Sequence, residues 1–410
     1  MRILYLVTAY PRGPSDVITP WLVETICRLR PRGVEVEVLA PAYRGVPGGV
    51  LEGVRVHRFR YAPARLETLT HDQTAPDRIR ERPAYLARVP SYVAAGSLAA
   101  ARLARTRRFD AVHAFWPLPH GIFGLAAKAA AGTPLVATFF GVELTWLESD
   151  LPFLRPLLRR IVRRSDAVTA ISSYTAAKLA AAVPGVRPAI IPFGAATESR
   201  AAAKASREPR TGGFALLFVG RLVERKGVAV LLEAMARLSA DVQLAIVGDG
   251  PEREALHAQA DRLDLTKRVL FEGYVRQDDL ERHFAACDAL VLPAVIDAKG
   301  DTEGLGVVLL EAMSYGKPVV ASRAGGIVDI VRDGRNGLLV RPGDATALAA
   351  AIAALRDDPE RAAALGAQGR QDVEREFSWE AIVDRLTAVY EEVVVSPPRN
   401  ATVRRASDGG

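Results

Sequence analysis

The feature that most constrains the fold is an alternation of short apolar runs with longer Ala/Leu-rich stretches along most of the 410-residue chain. The apolar runs are rich in β-branched residues and mostly free of polar side chains, which is typical of parallel strands buried on both faces. The stretches between them have the spacing of apolar residues expected for helices. Strands that alternate with helices in this way form doubly wound sheets, so we expect an α/β protein.

The alternation predicts two series of strands. In the first half of the chain the predicted strands span residues 3–7, 34–39, 54–59, 111–114, 135–138, 167–171 and 189–191. In the second half they span residues 215–219, 243–247, 269–272, 289–292, 318–321 and 337–340. Predicted helices lie between the strands, among them residues 19–29, 92–105, 121–131, 228–238, 251–262, 280–286 and 306–315. Each half therefore has enough strands and helices for a domain of its own.

The two series are separated by a polar stretch with Pro and Gly at residues 192–213. We therefore expect two Rossmann-like domains, one spanning residues 1–192 and the other residues 193–377. A helix at 378–395 is expected to cross back to the first domain, and the polar residues 396–410 are expected to be disordered. Ligands of open α/β sheets bind outside the carboxyl ends of the strands, so the predicted site is a cleft shared by the two domains.

The charge of the chain is unevenly divided between its halves. Residues 1–195 hold 26 Lys and Arg against 14 Asp and Glu, which is a net charge of +12. The whole chain has 54 basic and 47 acidic side chains, which leaves 28 basic and 33 acidic groups for the remainder and a net charge of −5. The basic first half is therefore predicted to face an anionic surface or substrate.

The composition excludes several classes of protein. The two cysteines, Cys27 and Cys287, are too few and too far apart for a disulfide framework or a Cys-based metal site. No apolar run approaches the roughly 20 residues that cross a bilayer. The N-terminus lacks the small-residue motif of a signal-peptide cleavage site, so we expect a cytoplasmic protein. The basic groups lack interleaved aromatic residues, which argues against a nucleic-acid partner.

The segment 301–313 carries the most chemical information. Two of its carboxylates stand eight positions apart, Glu303 in a predicted loop and Glu311 about two turns into the helix that follows. Gly304 and Gly306 leave the backbone N–H groups at the start of that helix open to an anion. Carboxylates accept hydrogen bonds from hydroxyls, so a ligand with both phosphates and hydroxyls, such as a sugar nucleotide, suits the segment. The alternative is an ordinary capped helix with a solvated Glu.

A second motif, Gly220-Arg221…Lys226-Gly227, directly follows the first predicted strand of the second domain. Arg221 and Lys226 flank a turn at the carboxyl end of that strand, where two cations can neutralise a diphosphate. Arg can grip a phosphate with its planar fork, whereas Lys supplies a point charge. For this motif alone, a solvated basic turn is an equally good explanation.

Together the two segments resemble family 4 of the retaining glycosyltransferases, which have the two-Rossmann-domain GT-B architecture. The family's glutamate–seven–glutamate motif corresponds to Glu303 and Glu311, and its glycine–arginine…lysine–glycine motif corresponds to residues 220–227. Further matches in the family's order lie at residues 247–251, 325–331 and 333–340. The resemblance covers most of the chain, and it implies a hexosyl- or related transferase.

The resemblance implies a role for each matching residue. Arg221 and Lys226 would bind the donor diphosphate and stabilise it as the leaving group. Glu303 would hold hydroxyls of the transferred sugar, and Glu311 would accept the ribose hydroxyls. The other residues implied in donor binding are Gly13 and Gly220 in loops after strands, Tyr274 and Val275 at the base, and Gly304, Leu305 and Gly306 at the phosphate. Residues 1–192 would hold the acceptor, a glycan, a glycolipid or a small molecule.

The first domain departs from the family's pattern. The loop after its first strand lacks the usual glycine pair, and only Gly13 can serve there. Phe140 replaces the histidine of the family's histidine–glycine–x–aspartate motif, so this position departs from the family's usual contact with the donor sugar. His120 follows another strand end and is a candidate catalytic residue that orients the acceptor, with a packed histidine as the alternative. For His113, a packed histidine is the favoured interpretation.

The chain has no Asp-x-Asp motif, which disfavours a metal-dependent glycosyltransferase. Arg221, Lys226 and the helix N-terminus would then stabilise charge on the leaving diphosphate, so no metal or other cofactor is expected. The resemblance implies retention of anomeric configuration, and a same-face displacement is expected, in which the donor phosphate accepts the acceptor's proton. The rival interpretations are another GT-B enzyme, such as a sugar-nucleotide epimerase or a glycan phosphorylase, and a non-catalytic sugar-nucleotide binding protein.

Residues 153–164 alternate apolar pairs with arginines. On a helix they would form an apolar stripe flanked by cations, which suits an anionic membrane surface. The favoured alternative is a surface helix whose stripe packs on the domain core. A membrane contact would make the protein peripheral on the inner face of the membrane, and it would suit a lipid-linked acceptor.

Overall fold

The computed structural model describes residues 1–13, 16, 18–72, 75–194, 213–298 and 300–395. Most of the stretch at 192–213 and the whole predicted tail at 396–410 lie outside these residues. The chain divides into two compact units. The first comprises Met1–Ile171, Ala176–Ile191 and the chain from Val383 onward, and the second comprises Ser172–Thr175 and Pro192–Ile382. Each unit is built around one sheet.

The sheet of the first unit is parallel except at one edge. Its strands are β1 (Arg2–Leu6), β2 (Glu35–Pro41), β3 (Gly49–Leu51), β4 (Val54–Phe59), β5 (Ala111–Phe115), β6 (Leu135–Phe139), β7 (Ala167–Ala170) and β8 (Ala189–Ile190). They lie in the order β3-β4-β2-β1-β5-β6-β7-β8. The strands β2 to β4 lie on one side of β1, and β5 to β8 lie on its other side. The boundary between β1 and β5 is therefore the switch point, where doubly wound sheets bind their ligands.

The sheet of the second unit is parallel throughout its described strands. These are β9 (Phe214–Val219), β10 (Val242–Val247), β11 (Val269–Gly273), β12 (Ala289–Leu292), β13 (Val319–Ser322) and β14 (Leu338–Val340). Their order is β11-β10-β9-β12-β13-β14. The switch point of this sheet lies between β9 and β12.

Helices connect the strands, as parallel pairing requires. The helices up to residue 182 are α1 (Pro20–Leu29), α2 (Ala75–Glu81), α3 (Val89–Arg107), α4 (Pro117–Ala131), α5 (Val142–Ser149), α6 (Arg155–Arg164) and α7 (Ser173–Ala182). Those that follow are α8 (Val228–Met235), α9 (Arg253–Arg262), α10 (Gln277–Ala286), α11 (Val307–Ser314), α12 (Ile327–Ile330), α13 (Ala345–Asp357), α14 (Pro359–Asp372) and α15 (Trp379–Val395). Across the described ranges, none of the helices is both long and apolar enough to cross a membrane.

A chain of buried polar groups links the sheet of the first unit to α15. The Tyr390 hydroxyl on α15 lies 2.7 Å from the Tyr5 hydroxyl on β1 and 2.7 Å from Nδ1 of His113 on β5. His113 Nε2 lies 2.6 Å from the Thr138 hydroxyl, which lies 2.5 Å from that of Thr169. Buried polar groups are costly unless they are paired, so this chain fixes α15 to the sheet of the first unit.

The predicted doubly wound α/β fold is confirmed, and each predicted strand is present with small shifts at its ends. The strand β3 was not predicted. Its residues are mostly exposed and pair antiparallel with β4 at the edge of the sheet. An edge strand of this kind has no buried apolar run, so its sequence lacks the signal that identifies the other strands.

Candidate active site

The switch point of the second sheet brings the two sequence motifs together. Residues 220–227 follow β9, and the loop that carries Glu303 joins β12 to α11. Because β9 and β12 are neighbours, their carboxyl ends place Lys226 beside Glu303. Lys226 Nζ donates a hydrogen bond to the Glu303 carboxylate and forms an ion pair with it. Two residues 77 positions apart in the chain therefore form one site.

The Lys226–Glu303 ion pair is largely shielded from water, with side-chain exposures of 16% and 14%. Charges shielded to this extent need a partner, because an isolated ion loses its hydration without compensation. The pairing explains how a carboxylate can lie beside an anion site, since Lys226 compensates its charge. A ligand phosphate that contacts Lys226 would leave Glu303 available to accept hydrogen bonds from sugar hydroxyls.

Hydrogen bonds and close packing fix the backbone around Glu303. The Thr302 hydroxyl donates to the Val295 carbonyl oxygen at 2.8 Å, and the Gly326 N–H donates to the Glu303 carbonyl oxygen at 3.0 Å. Gly325 has a left-handed backbone with φ of 53°. A Cβ atom at Gly325 would lie 1.9 Å from the Glu303 carbonyl oxygen, so only glycine fits there.

Helix α11 begins directly after this loop. Gly306 has φ of 91° and precedes the first helical residue, Val307. The partial positive charge of the helix N-terminus therefore lies next to the Glu303 loop, as an anion site requires. Glu311 is half-buried and lies four residues after Val307, which is little more than one turn into α11 and not the two turns predicted. Leu305 is buried and anchors the loop to the core.

The remaining donor-binding candidates of the second unit lie at other strand ends. Gly220 follows β9, and its N–H donates to the Val247 carbonyl oxygen at 2.9 Å. Arg221 is exposed, and it has no acidic partner among the residues that the structure describes. Tyr274 and Val275 follow β11, which β10 separates from β9. The Tyr274 side chain is 85% exposed, so it is open to a ligand.

The structure corrects the prediction that His120 orients an acceptor. The His120 side chain is fully buried, and its Nδ1–H donates to the carbonyl oxygens of Phe115 at 2.8 Å and Trp116 at 3.1 Å. Its Nε2 accepts from the Tyr92 hydroxyl at 3.2 Å. Burial lowers the pKa of His120 to about 4, so the ring is neutral near pH 7. Both ring nitrogens are occupied within the first unit, and His120 cannot touch an acceptor.

His113 is packed, as the favoured interpretation had it. Its ring is 1% exposed and stacks on Phe115, with ring centroids 4.0 Å apart. Burial lowers the pKa of His113 to about 3, so it serves the buried polar chain as a neutral group. Gly13, the remaining candidate of the first unit, is half-buried in the loop after β1, and its carbonyl oxygen accepts from the Asp16 N–H at 3.1 Å.

Phe140 and Glu143 lie where β6 ends and α5 begins. The Phe140 N–H donates to Glu143 Oε1 at 2.8 Å, so the carboxyl group closes the turn between strand and helix. Glu143 is fully buried, and Oε2 has no hydrogen-bond partner in the described part of the chain. Burial raises the pKa of Glu143 to about 7, against the opposing effect of backbone N–H donors. The sequence pattern did not predict this buried acid with a raised pKa.

The helix predicted as a membrane candidate is α6, and its apolar stripe is packed. Leu158, Ile161 and Val162 are buried in a core cluster of the first unit. The apolar stripe of residues 153–164 therefore packs on the domain core, as the favoured interpretation predicted. The exposed residues include Phe153, which is 71% exposed, and five arginines, Arg155, Arg159, Arg160, Arg163 and Arg164.

Comparison with known proteins decides the family. A family model described as "Glycosyl transferases group 1" matches residues 199–372, and one described as "Glycosyl transferase 4-like domain" matches residues 19–194. The chain is 36% identical to the GDP-mannose-dependent alpha-(1-6)-phosphatidylinositol monomannoside mannosyltransferase of Mycolicibacterium smegmatis, over 65% of this chain and 72% of that protein. The chain is a family 4 glycosyltransferase. The predicted resemblance and the predicted activity class are confirmed, and the rival interpretations are set aside.

A second relative of this glycosyltransferase supports the assignment. The GDP-mannose-dependent monoacylated alpha-(1-6)-phosphatidylinositol monomannoside mannosyltransferase of Corynebacterium glutamicum is 34% identical to it. That alignment covers 72% of this chain and 79% of the relative. Both comparisons reach well beyond the short motifs, so the family assignment does not depend on them.

Solved structures resemble this glycosyltransferase along nearly its whole length. Sucrose-phosphate synthase from Thermosynechococcus elongatus aligns with a TM-score of 0.75 at 24% identity, over 95% of this chain and 98% of that chain. HepE from Anabaena, in complex with UDP and glucose, aligns with a TM-score of 0.69 at 23% identity, over 96% of this chain and all of that chain. At this identity the likeness concerns the fold, and it confirms the predicted GT-B class.

Proposed function

We propose that this glycosyltransferase transfers mannose from GDP-mannose to a glycan or glycolipid acceptor. The observation that carries the proposal is the Lys226–Glu303 pair at the switch point of the second sheet. It places a cation suited to a diphosphate beside a carboxylate suited to sugar hydroxyls. Two relatives named as GDP-mannose-dependent, at 36% and 34% identity, support the choice of sugar and base.

In the proposed reaction the bond between the anomeric carbon and the donor phosphate oxygen breaks as the acceptor oxygen bonds to the same carbon. Arg221, Lys226 and the N-terminus of α11 stabilise the negative charge that develops on the leaving GDP, without a metal. A donor phosphate oxygen accepts the acceptor's hydroxyl proton. The displacement takes place on one face of the sugar and retains the anomeric configuration.

The other predicted residues complete the donor site of the proposal. Glu311 accepts hydrogen bonds from the ribose hydroxyls, and the base lies near Tyr274 and Val275. Gly220 and the amides of residues 304–306 allow close approach of the diphosphate. The first unit holds the acceptor.

The donor assignment is tested by thermal shift. GDP-mannose and GDP are expected to raise the melting temperature more than UDP-glucose, UDP, ADP-glucose or ADP do at equal concentration. At about 100 times its Kd a ligand stabilises the protein by about 2.7 kcal/mol, which is large enough to measure.

Glu311→Ala should weaken GDP binding, whereas Glu360→Ala, on α14 of the same unit, should leave it unchanged. An equal or larger shift with a uridine or adenosine nucleotide would contradict the choice of base, and no shift at saturation with any of them would contradict the donor site.

We also propose a peripheral contact between the exposed face of α6 and the anionic inner face of a membrane. Phe153 can enter the interface while the arginines contact lipid phosphates, at about 1 kcal/mol for each cation. The paired variant Arg160→Glu/Arg163→Glu should bind phosphatidylglycerol vesicles at least about tenfold more weakly than the wild type in a sedimentation assay. The matched pair Arg276→Glu/Arg282→Glu, on exposed residues of the second unit, should bind as the wild type does. Equal binding by both pairs would exclude α6 as the contact.

A further inference from the structure

Three aromatic rings meet at the switch point of the first sheet. The rings of Trp116 and Phe140 are stacked, with centroids 4.4 Å apart and planes 20° apart. The Trp21 ring lies 5.9 Å from Trp116 and 5.5 Å from Phe140, and its plane is tilted by 67° and 50° to theirs. We call Trp21, Trp116 and Phe140 the aromatic platform.

The topology of the sheet places the aromatic platform where a ligand is expected. Trp116 directly follows β5, Phe140 directly follows β6, and Trp21 lies in the first turn of α1, which follows β1. The strands β1, β5 and β6 are consecutive in the sheet, and the boundary between β1 and β5 is its switch point. Doubly wound sheets bind ligands at the carboxyl ends of the strands around that point. Three connections that are distant in the chain thus supply one ring each to a single place.

The aromatic platform is not part of the buried core. Its three residues are each half-buried, whereas Phe115, one position before Trp116, is 4% exposed and packs in the interior. Contiguous apolar groups left in contact with solvent are a feature of ligand-binding surfaces. The indole N–H of Trp116 has no hydrogen-bond partner within the described chain, so it is available to a ligand.

The local backbone holds Trp116 in place at an energetic cost. Trp116 has φ of 50° and ψ of 76°, a left-handed conformation that is unfavourable for a bulky residue. His120 holds this conformation, since its Nδ1–H donates to the carbonyl oxygens of Phe115 and Trp116, which lie on either side of the Trp116 Cα. The buried His120 is therefore a positioning residue for the aromatic platform. Strained residues retained by their surroundings occur mainly at functional sites.

We infer that the aromatic platform binds a pyranose ring of the acceptor, so that the acceptor of this enzyme is a carbohydrate at the point of contact. The C–H groups on one face of a pyranose are slightly positive and pack against the electron-rich faces of aromatic rings. The ring hydroxyls can accept from the Trp116 N–H, which an acyl or isoprenoid chain would leave unpaired. The inference rests on the proposed function in one respect, that the first unit holds the acceptor.

The experiment measures sugar binding without any donor. Methyl α-D-mannopyranoside and methyl α-D-glucopyranoside are titrated into the full chain, and saturation-transfer NMR and tryptophan emission report binding. At least one of them should bind, and Trp116→Ala should weaken that binding by about tenfold, whereas Trp116→Phe should weaken it by about threefold or less. Trp146→Ala removes a half-buried tryptophan of α5 outside the aromatic platform and should leave binding unchanged.

Two further measurements separate this inference from the proposed donor site. Glu303→Gln should leave methyl glycoside binding unchanged, and Trp116→Ala should leave the GDP-induced thermal shift unchanged, because the residues belong to different units. Loss of glycoside binding in Glu303→Gln but not in Trp116→Ala would show that the glycosides occupy the donor site, and the inference would be wrong. The inference would also be wrong if neither glycoside binds to the wild type. Binding of 1-octanol that is lost in Trp116→Ala, without binding of the glycosides, would show that the aromatic platform holds an apolar chain instead. If GDP does not raise the melting temperature of the wild type, the proposed donor site would be wrong, and the inference about the aromatic platform would be unaffected.

Discussion

Replacing Lys226 with Met is expected to lower kcat by roughly 10²–10³-fold, because in the proposed reaction the leaving diphosphate would lose a positioned cation in a shielded site. The change also leaves the Glu303 carboxylate, with an exposure of 14%, without its ion-pair partner. An unpaired shielded charge destabilises the fold, so the melting temperature should fall as well. The assay is the release of GDP from GDP-mannose, with melting followed by calorimetry.

Two matched variants separate lost chemistry from lost stability at Lys226. The double variant Lys226→Met/Glu303→Gln removes both charges, so it should recover most of the melting temperature and none of the activity. Arg225→Ala removes the adjacent cation, which pairs with Asp301 at 3.6 Å and is 37% exposed, and it should change kcat by about threefold or less. A Lys226→Met enzyme that keeps a near-normal kcat would exclude Lys226 from stabilising the leaving group.

Replacing Gly325 with Ala is expected to cost about 4 kcal/mol of the free energy of unfolding, about 3 from the steric clash and about 1 from the left-handed backbone, and to lower kcat/KM by roughly 10²-fold. The new Cβ would lie 1.9 Å from the Glu303 carbonyl oxygen, which belongs to the backbone and cannot rotate away. The Glu303 segment must therefore shift, and its carboxylate moves relative to Lys226. Chemical denaturation measures the first effect, and GDP release measures the second.

The control for Gly325→Ala is Gly343→Ala in the same unit. Gly343 also has a left-handed backbone, with φ of 77°, but a Cβ there would meet nothing within 4 Å. Its substitution carries only the backbone cost, about 1 kcal/mol, and should leave kcat/KM unchanged. If the two variants lose equal stability and activity, the contact between Gly325 and Glu303 does not support the site.

Most of the fold could be predicted because a strand buried on both faces is a short, nearly continuous run of apolar residues, which is visible in the sequence. The strand β12 is an example, with four consecutive buried apolar residues between Asp288 and Pro293. The edge strand β3 has no such local signal, and its pairing with β4 depends on a hairpin rather than on burial. Periodicity therefore predicts buried strands well and edge strands poorly.

The candidate sites depend on contacts that are distant in the chain, and these are harder to predict. The motifs around Lys226 and Glu303 were each recognisable, but their ion pair exists only because β9 lies next to β12. His120 looked accessible because it follows a strand end, yet a hydroxyl contributed by Tyr92, 28 residues earlier, completes its burial. The aromatic platform was missed for the same reason, since its rings come from three separate connections.

The Tyr390 contacts on α15 set the order in which the two units can be finished during synthesis. Tyr5 and Tyr390 are separated by 385 positions, so the ribosome releases β1 long before its hydrogen-bond partner exists. The second unit ends at Ile382, and all its described strands precede α15 in the chain. The first unit is therefore completed only when α15 has been synthesised, and the buried Tyr5 hydroxyl lacks its Tyr390 partner until then.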